Sequence, residues 1–397
     1  MFNADVNVLL KNGLSYGIDS CFCLWYFIYN KWDKKSISGT KSVHIRRVFM
    51  QDIIKLQMKI VPEITELLER RYSILKSVYY NQPVGRRTIS EELNIGERIV
   101  RAEVNFLKDQ SLIEIKTGGM ITTKQGEEVL EKLKKFIFEL RGLSDVEKYI
   151  KDKLGLKDVI IVPGDIDSDT SASADLGRAA AAYVKGILKD GDIVALTGGT
   201  TLKGVVDNFP KMTGMENTIV VPARGGVGKN VETQSNTLAA KLAEKIGASY
   251  KLLQVLDNLS KRTMNAIVKE KEVKEVLEVL QKTDLLIHGI GKMQAMASRR
   301  GLSEEEIQSL VDIGAVGEAF GYYFDKLGKI VHSTQTAGIK YDEVKKIKTQ
   351  VAVAGGRHKA EAILSVIKNN NKTVLVTDEG AAKQILNLLK NEKILNI

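Results

Sequence analysis

Cysteine is nearly absent from this 397-residue chain. The two present, Cys21 and Cys23, stand one residue apart. That pair excludes a disulfide framework and leads us to expect a reducing, cytoplasmic compartment. Histidine is equally sparse. His44, His288, His332 and His358 have no ligand spacing with the cysteines, so neither a metal nor any other cofactor is expected. Long apolar runs are missing too. The densest aromatic stretch, residues 21–29, is too short to cross a bilayer and lacks the basic start and cleavage site of a signal peptide. No membrane is expected among the partners, and the chain shows no internal repeat or low-complexity linker.

What is present is a globular composition, 44% hydrophobic and 27% charged, at a length that calls for two or three domains. The net charge of +10 permits contact with nucleic acid without establishing it. Residues 50–140 carry 15 basic against 14 acidic residues, so any basic face there must be made by geometry. Residues 1–49 hold both cysteines and both tryptophans. They read as an extension outside the fold, with Met50 a candidate start.

From Ile54 to Tyr80 apolar residues recur at helical spacing, and Gln82-Pro83 ends that helix. A short helix over 88–93, a turn through Asn94-Ile95-Gly96 and a longer helix over 97–109 form a helix-turn-helix pattern. In the longer helix Ile99, Val100, Glu103, Val104 and Leu107 mark one side. Arg98, Arg101, Asn105 and Lys108 mark the other, where Arg and Asn suit the edges of guanine and adenine. A hairpin with its turn at Thr117-Gly118-Gly119 follows, which makes the unit a winged helix. An ordinary solvated helix would show the same charged face, and the attached wing favours the DNA-binding reading. Lys124–Leu140 is a helix that links or dimerises, continued through Ser144–Leu154.

From Val159 the chain alternates strands and helices. Strands are expected near 159–162, 192–197, 217–222, 249–255, 284–288, 350–354 and 373–377. Helices between them, such as 237–246, 273–280 and 381–389, imply a mostly parallel, Rossmann-like α/β sheet covered on both faces. Four strands end in glycine. The first runs into Thr197-Gly198-Gly199-Thr200-Thr201, where glycines allow a sharp turn and a helix start supplies N–H donors and partial positive charge. The second ends in Arg224-Gly225-Gly226-Val227-Gly228, the third in Gly289-Ile290-Gly291. The fourth ends in Gly355-Gly356, followed by Arg357, His358 and Lys359. One such turn is also what a capped helix without a ligand looks like. Four together point to one pocket for a small, multiply anionic ligand.

These motifs resemble a known family. G-R-R-T-I-S (85–90), E-R-I-V-R-A-E-V (97–104) and F-L-K (106–108) lie in the winged helix. T-G-G-T-T (197–201), P-A-R-G-G (222–226), H-G-I-G (288–291), E-A-F-G-Y-Y-F (318–324), V-A-G-G (353–356) and V-L-V-T-D-E-G-A-A-K (374–383) follow. Their order is that of the SorC/DeoR-type sugar-binding repressors, over about residues 50–390. The resemblance implies a winged helix-turn-helix domain with its linker helix over 50–140. It implies an effector-binding and oligomerisation domain over 141–397, of the fold shared with sugar-phosphate isomerases and deaminases. The implied function is repression of glycolytic genes from operator DNA, as a homodimer or tetramer, under control of fructose 1,6-bisphosphate or a related phosphorylated sugar. By the same resemblance Gly198, Gly199, Thr200 and Thr201 hold one phosphate. Arg224, with Gly225 and Gly226, meets a phosphate from the second loop, and Gln234 contacts the ligand. Arg299 and Lys359 add positive charge, and Glu318 accepts from sugar hydroxyls. Arg86, Arg87, Thr88 and Ser90 join the DNA-contacting set.

An enzyme acting on sugar phosphates is the competing reading, because the fold is shared. It needs a group placed for proton transfer, and Glu318, Asp378, Glu379 and His288 are of the right type. Each also has a plain structural role open to it, and repression is the reading expected.

Overall fold

The computed structural model describes residues 60–226, 230–256, 259–368 and 370–395. The extension 1–49, Met50, the start of the helix expected from Ile54, and Val227 and Gly228 of the second glycine loop lie outside the described residues. Contacts divide the chain after Pro62, and Glu63–Ile397 is the larger unit.

Helix α1 (Pro62–Asn81) buries Ile74, Leu75 and Val78, neighbours at helical spacing, and stops before Pro83. Then come α2 (Arg86–Leu93) and α3 (Glu97–Asp109). Asn94 between them is left-handed at φ 51°, which turns the chain and lets the N–H groups of Asn94 and Ile95 reach the carbonyls of Glu91 and Ser90. Strands β1 (Ile113–Lys116) and β2 (Gly119–Thr122) pair antiparallel as the wing, with Val84 bridged to Met120 at its base. Helix α4 (Lys124–Leu140) is capped by the Thr123 hydroxyl, which accepts from the Gly126 N–H at 3.0 Å. It does not continue as expected. Gly142, at φ 65°, breaks it, and α5 (Leu143–Leu154) starts afresh.

The α/β part runs through β3 (Asp158–Val162), α6 (Thr170–Ile187), β4 (Ile193–Leu196), α7 (Thr200–Asp207), β5 (Ile219–Pro222), α8 (Ser235–Ile246) and β6 (Ser249–Tyr250). It continues with α9 (Lys261–Ile267), α10 (Lys271–Leu280), β7 (Leu285–Gly289), β8 (Gly291–Lys292), α11 (Met293–Arg299), α12 (Glu304–Asp312), β9 (Ala315–Ala319), β10 (Tyr322–Asp325), β11 (Ile330–Ser333) and α13 (Tyr341–Val344). It closes with β12 (Thr349–Val353), α14 (Ala360–Ile367), β13 (Thr373–Asp378) and α15 (Glu379–Leu395).

Seven strands form one parallel sheet in the order β3-β13-β12-β7-β4-β5-β6. Period-two alternation splits its side chains between two cores. Val351 and Val353 join Leu176, Leu202 and Leu242 on one face, while Ala352 and Ala354 join Ile150, Ile363 and Ile385 on the other. β6 is far shorter than the strand expected over 249–255. Asn236 explains this: its side-chain amide donates to the Leu253 carbonyl at 3.0 Å and accepts from the Leu253 N–H at 2.9 Å, taking over the bonds a neighbouring strand would make.

A second sheet was not expected. β11-β10-β9-β8 is antiparallel and packs Phe320 and Phe324 into the core beside α14. Within the parallel sheet the chain steps from β4 out to β5 and β6, then returns to β7 on the other side of β4. The C-terminal ends of β4 and β7 therefore flank the switch in strand order, where open α/β sheets hold ligands.

Candidate anion-binding site and nucleic-acid interface

Between β4 and α7 the backbone makes a turn only glycine accommodates. Gly199 has φ 121°, and a Cβ on Gly198 would sit 2.5 Å from the Thr233 carbonyl. That carbonyl accepts the Gly199 N–H at 2.8 Å. Thr200 and Thr201 thereby occupy the first turn of α7, where helical N–H groups without a partner in the helix carry partial positive charge.

The segment around Thr233 gathers other expected residues. Arg299 Nη2 donates to Thr233 Oγ1 at 3.3 Å, and Gln234 stands next in the chain as N-cap of α8. A Cβ on Gly226 would lie 3.0 Å from Gln234 Oε1, so this glycine makes room for the amide. The N–H groups of Gly225 and Gly226 donate to the carbonyls of Ala337 and Val255 at 2.9 Å each. What Gly226 brings to the site is clearance.

Arg224 and Glu318 are buried together. Arg224 Nη1 donates to Glu318 Oε1 at 3.3 Å, and the same oxygen accepts from Arg300 Nη2 at 2.5 Å and from the Gly321 N–H at 2.7 Å. Burial alone would raise the Glu318 carboxyl, yet Arg300 and Arg224 hold it below the usual range. Burial pushes the Arg224 guanidinium down to about 10, with Glu318 opposing.

Lys359 ends a short 3₁₀ turn after β12, two strand positions from β4, or roughly 10 Å. It is half-buried, which lowers its pKa, and its Nζ makes no hydrogen bond among the described residues. The loop before it is firmly held. Asp378 accepts from the N–H groups of Gly356, Ile166 and Ala381 at 2.7–3.0 Å. Asp167 accepts from the His358 N–H at 3.0 Å and meets His358 Nδ1 at 2.6 Å. The structure thus joins Gly198 to Thr201, Arg224 to Gly226, Gln234, Arg299 and Glu318 through direct neighbours. Lys359 faces them only across the strand ends. Sequence reasoning missed Thr233 and Arg300; Arg300 was legible as the second arginine of A-S-R-R.

The groups considered for proton transfer are committed elsewhere. Glu379 accepts from Arg141 at 2.7 Å, Lys383 at 2.6 Å and the Gly164 N–H at 3.0 Å. His288 packs on the Phe320 ring at 4.9 Å, and burial pushes it down to about 4, so it stays neutral. A cavity of about 360 Å³ opens between α1 and the loop after β3. Its cations are matched by its own acids: Lys76 with Asp169, Arg141 with Glu379, Arg357 with Asp165.

In the winged helix, α3 buries Val100, Glu103, Val104 and Leu107 and exposes Arg98, Arg101, Asn105 and Lys108. Ile99 does not share the buried side as expected; it is 44% exposed, one position off the i, i+4, i+7 stripe. Glu103 is held by Arg70 at 3.2 Å and Arg71 at 2.8 Å, and the Arg71 guanidinium also covers the Phe106 ring at 3.4 Å. In α2, Arg87 and Thr88 are exposed and Arg86 is half-buried. Ser90 donates to the Ile95 carbonyl at 2.6 Å, which braces the turn.

Residues 67–137 match the CggR N-terminal DNA binding domain, and residues 139–387 match a sugar-binding domain family. The central glycolytic genes regulator of Bacillus subtilis (strain 168) is 42% identical over 85% of this chain and 99% of its own length. The chain belongs to the central glycolytic genes regulator family. A SorC family transcriptional regulator from Enterococcus faecalis is similar at 36% identity and a TM-score of 0.57, over 61% of this chain and 99% of its own. The full-length sorbitol operon regulator SorC from Klebsiella pneumoniae shares the fold at 21% identity and a TM-score of 0.56, over 84% of this chain and 99% of its own. Members of this family are regulators with a DNA-binding domain ahead of a sugar-binding one, and this chain has both in that order. No described helix is long and apolar enough to cross a membrane.

Proposed function

We propose that this protein represses glycolytic genes by binding operator DNA, and that fructose 1,6-bisphosphate controls the binding. The observation that carries the reading is the convergence of Thr200 and Thr201, Arg224, Gln234 and Arg299 beside the strand-order switch, with Lys359 some two strand positions away. Twin phosphates need separated cations and N–H donors, and these residues supply both. Arg98, Arg101, Asn105 and Lys108 on α3 read the major groove, with Arg86, Arg87 and Thr88 on the flanking backbone. A dimer or tetramer sets the spacing of two such helices on operator half-sites.

The ligand acts by favouring one quaternary arrangement, through differential affinity of about 1–3 kcal/mol. Fluorescence anisotropy on labelled operator duplex, with and without the bisphosphate, tests this. The expected result is a 5- to 150-fold change in operator affinity, on the order set by that coupling. Unchanged affinity at saturating ligand overturns the proposal.

A further inference from the structure

We infer that Asp167 and His358 are positioning residues for effector recognition: together they hold the turn that presents Lys359. The inference rests on the effector-site reading above. Lys359 is the last residue of the 3₁₀ turn Arg357–Lys359, which follows β12. A lysine carries its charge on a long, flexible stem, so the ammonium meets a phosphate reliably only where the backbone beneath it is fixed.

Sheet order brings the fixing group into reach. β13 lies between β3 and β12, and all three run parallel, so the loop after β3 and the turn after β12 emerge on either side of the end of β13. Asp378, wholly buried at that end, accepts from the Ile166 N–H of the loop at 2.7 Å and from the Gly356 N–H before the turn at 3.0 Å. One carboxylate thus sets the two segments side by side. Asp167, next after Ile166, then clasps the turn. It accepts from the His358 N–H at 3.0 Å and meets His358 Nδ1 at 2.6 Å. Burial tends to raise the Asp167 carboxyl, but His358 and the charge of Lys359 outweigh it and hold it below the usual range. An ionised carboxylate only accepts, so the ring presents its Nδ1 proton. Gly356 leaves room for the clasp: its φ is 98°, and a Cβ there would lie 2.6 Å from Asp167 Oδ1.

The clasp also sorts the charges of the turn. Arg357 lies 3.5 Å from Asp165 and His358 lies on Asp167, so two acids of the loop take the two neighbours. Lys359 pairs with neither acid among the described residues. It is the member of the turn that remains to meet an anion.

The test is calorimetric titration of the full chain with fructose 1,6-bisphosphate. Asp167→Ala and His358→Ala are each expected to weaken binding roughly 10-fold, the scale for loss of one charged hydrogen bond. His358→Asn, whose side-chain N–H can stand in for Nδ1–H, should recover most of what His358→Ala loses. In a Lys359→Met background, itself weaker than wild type, Asp167→Ala should add little, because no ammonium is left to place. A loop that merely supports the fold would cost the same in both backgrounds. Should Asp167→Ala fold poorly, the exposed His358 variants carry the test alone. The inference is overturned by wild-type affinity in Lys359→Met, by wild-type affinity in both alanine variants, by His358→Asn binding no better than His358→Ala, or by equal losses from Asp167→Ala with and without Lys359. A wild-type chain that binds no sugar phosphate at all would overturn the site reading beneath it.

Discussion

Lys76 of α1 meets Asp175 of α6 at 3.1 Å, and both side chains are almost wholly buried. Asp175 also accepts from Lys134 of α4, Arg178 of its own helix and the Tyr80 hydroxyl, at 2.9 to 3.0 Å. One carboxylate thus ties the winged helix and its linker helix to the sugar-binding part. Asp175→Asn leaves these cations facing a neutral amide, with Lys76 retaining only Asp169. A loss of about 3–5 kcal/mol in unfolding free energy is expected, the scale for breaking a buried pair. Lys134→Ala, at a partly exposed position, should cost no more than ~1 kcal/mol. Urea unfolding of the whole chain measures both, and equal effects would contradict this ranking.

Gly198 gives a second test. An added methyl would sit 2.5 Å from the Thr233 carbonyl, so Gly198→Ala must push the β4–α7 turn away from the segment carrying Gln234. We expect a loss of about 1–3 kcal/mol in stability, the cost of overpacking, and weaker binding of fructose 1,6-bisphosphate. Thermal melts and calorimetry of the same variant check it. A variant with unchanged affinity would show that the turn takes no part in binding.

The proposed placing of α3 on operator DNA predicts a split. Arg101→Ala should cost about 1–3 kcal/mol of operator binding and relax base preference at one position, whereas Lys108→Ala should lower the salt dependence by about one phosphate contact on any sequence. Binding measured over a salt series, on the operator and on a scrambled duplex, separates the two. Identical behaviour of both variants would mean that α3 lies differently on DNA.

Acid should loosen the join around α1. Burial tends to raise the Asp169 carboxyl, but Lys76 and Ser171 outweigh it and hold it below the usual range. Glu379 behaves alike, burial being outweighed by Arg141 and Lys383. A carboxylate depressed in the folded state contributes stability that is full above its unfolded value, near 4, and lost as pH falls through the lower folded value. Unfolding free energy should therefore drop as pH falls below about 4, and less steeply in Asp169→Asn. Identical pH profiles for variant and wild type would remove Asp169 from this account.

Much of this was legible in the residues because it rests on local rules. Asn94-Ile95-Gly96 announces its turn, the stripe Val100, Val104, Leu107 announces α3, and strands that end in glycine announce the tight turns at their C-terminal ends. The second sheet was not legible. Its strands are two to five residues long, and β9 carries a buried glutamate where an apolar residue would have marked the strand. Glu318 is affordable there only because Arg300 and Arg224 arrive from distant parts of the chain, and no local pattern encodes such a meeting. Ile99 misled for a related reason: its type suggests the core, while the helical stripe places it outside. The strand expected over 249–255 failed because Asn236, one helix earlier, satisfies its backbone.

Helix α1 has hold of two things at once. Near its middle Arg70 and Arg71 grip Glu103 of the helix that presents Arg98 and Arg101, and one and a half turns later Lys76 grips α6. A helix fastened at both points behaves as an axle. On the proposed reading, a winged helix mounted in this way takes any change of pitch from the sugar-binding part behind it.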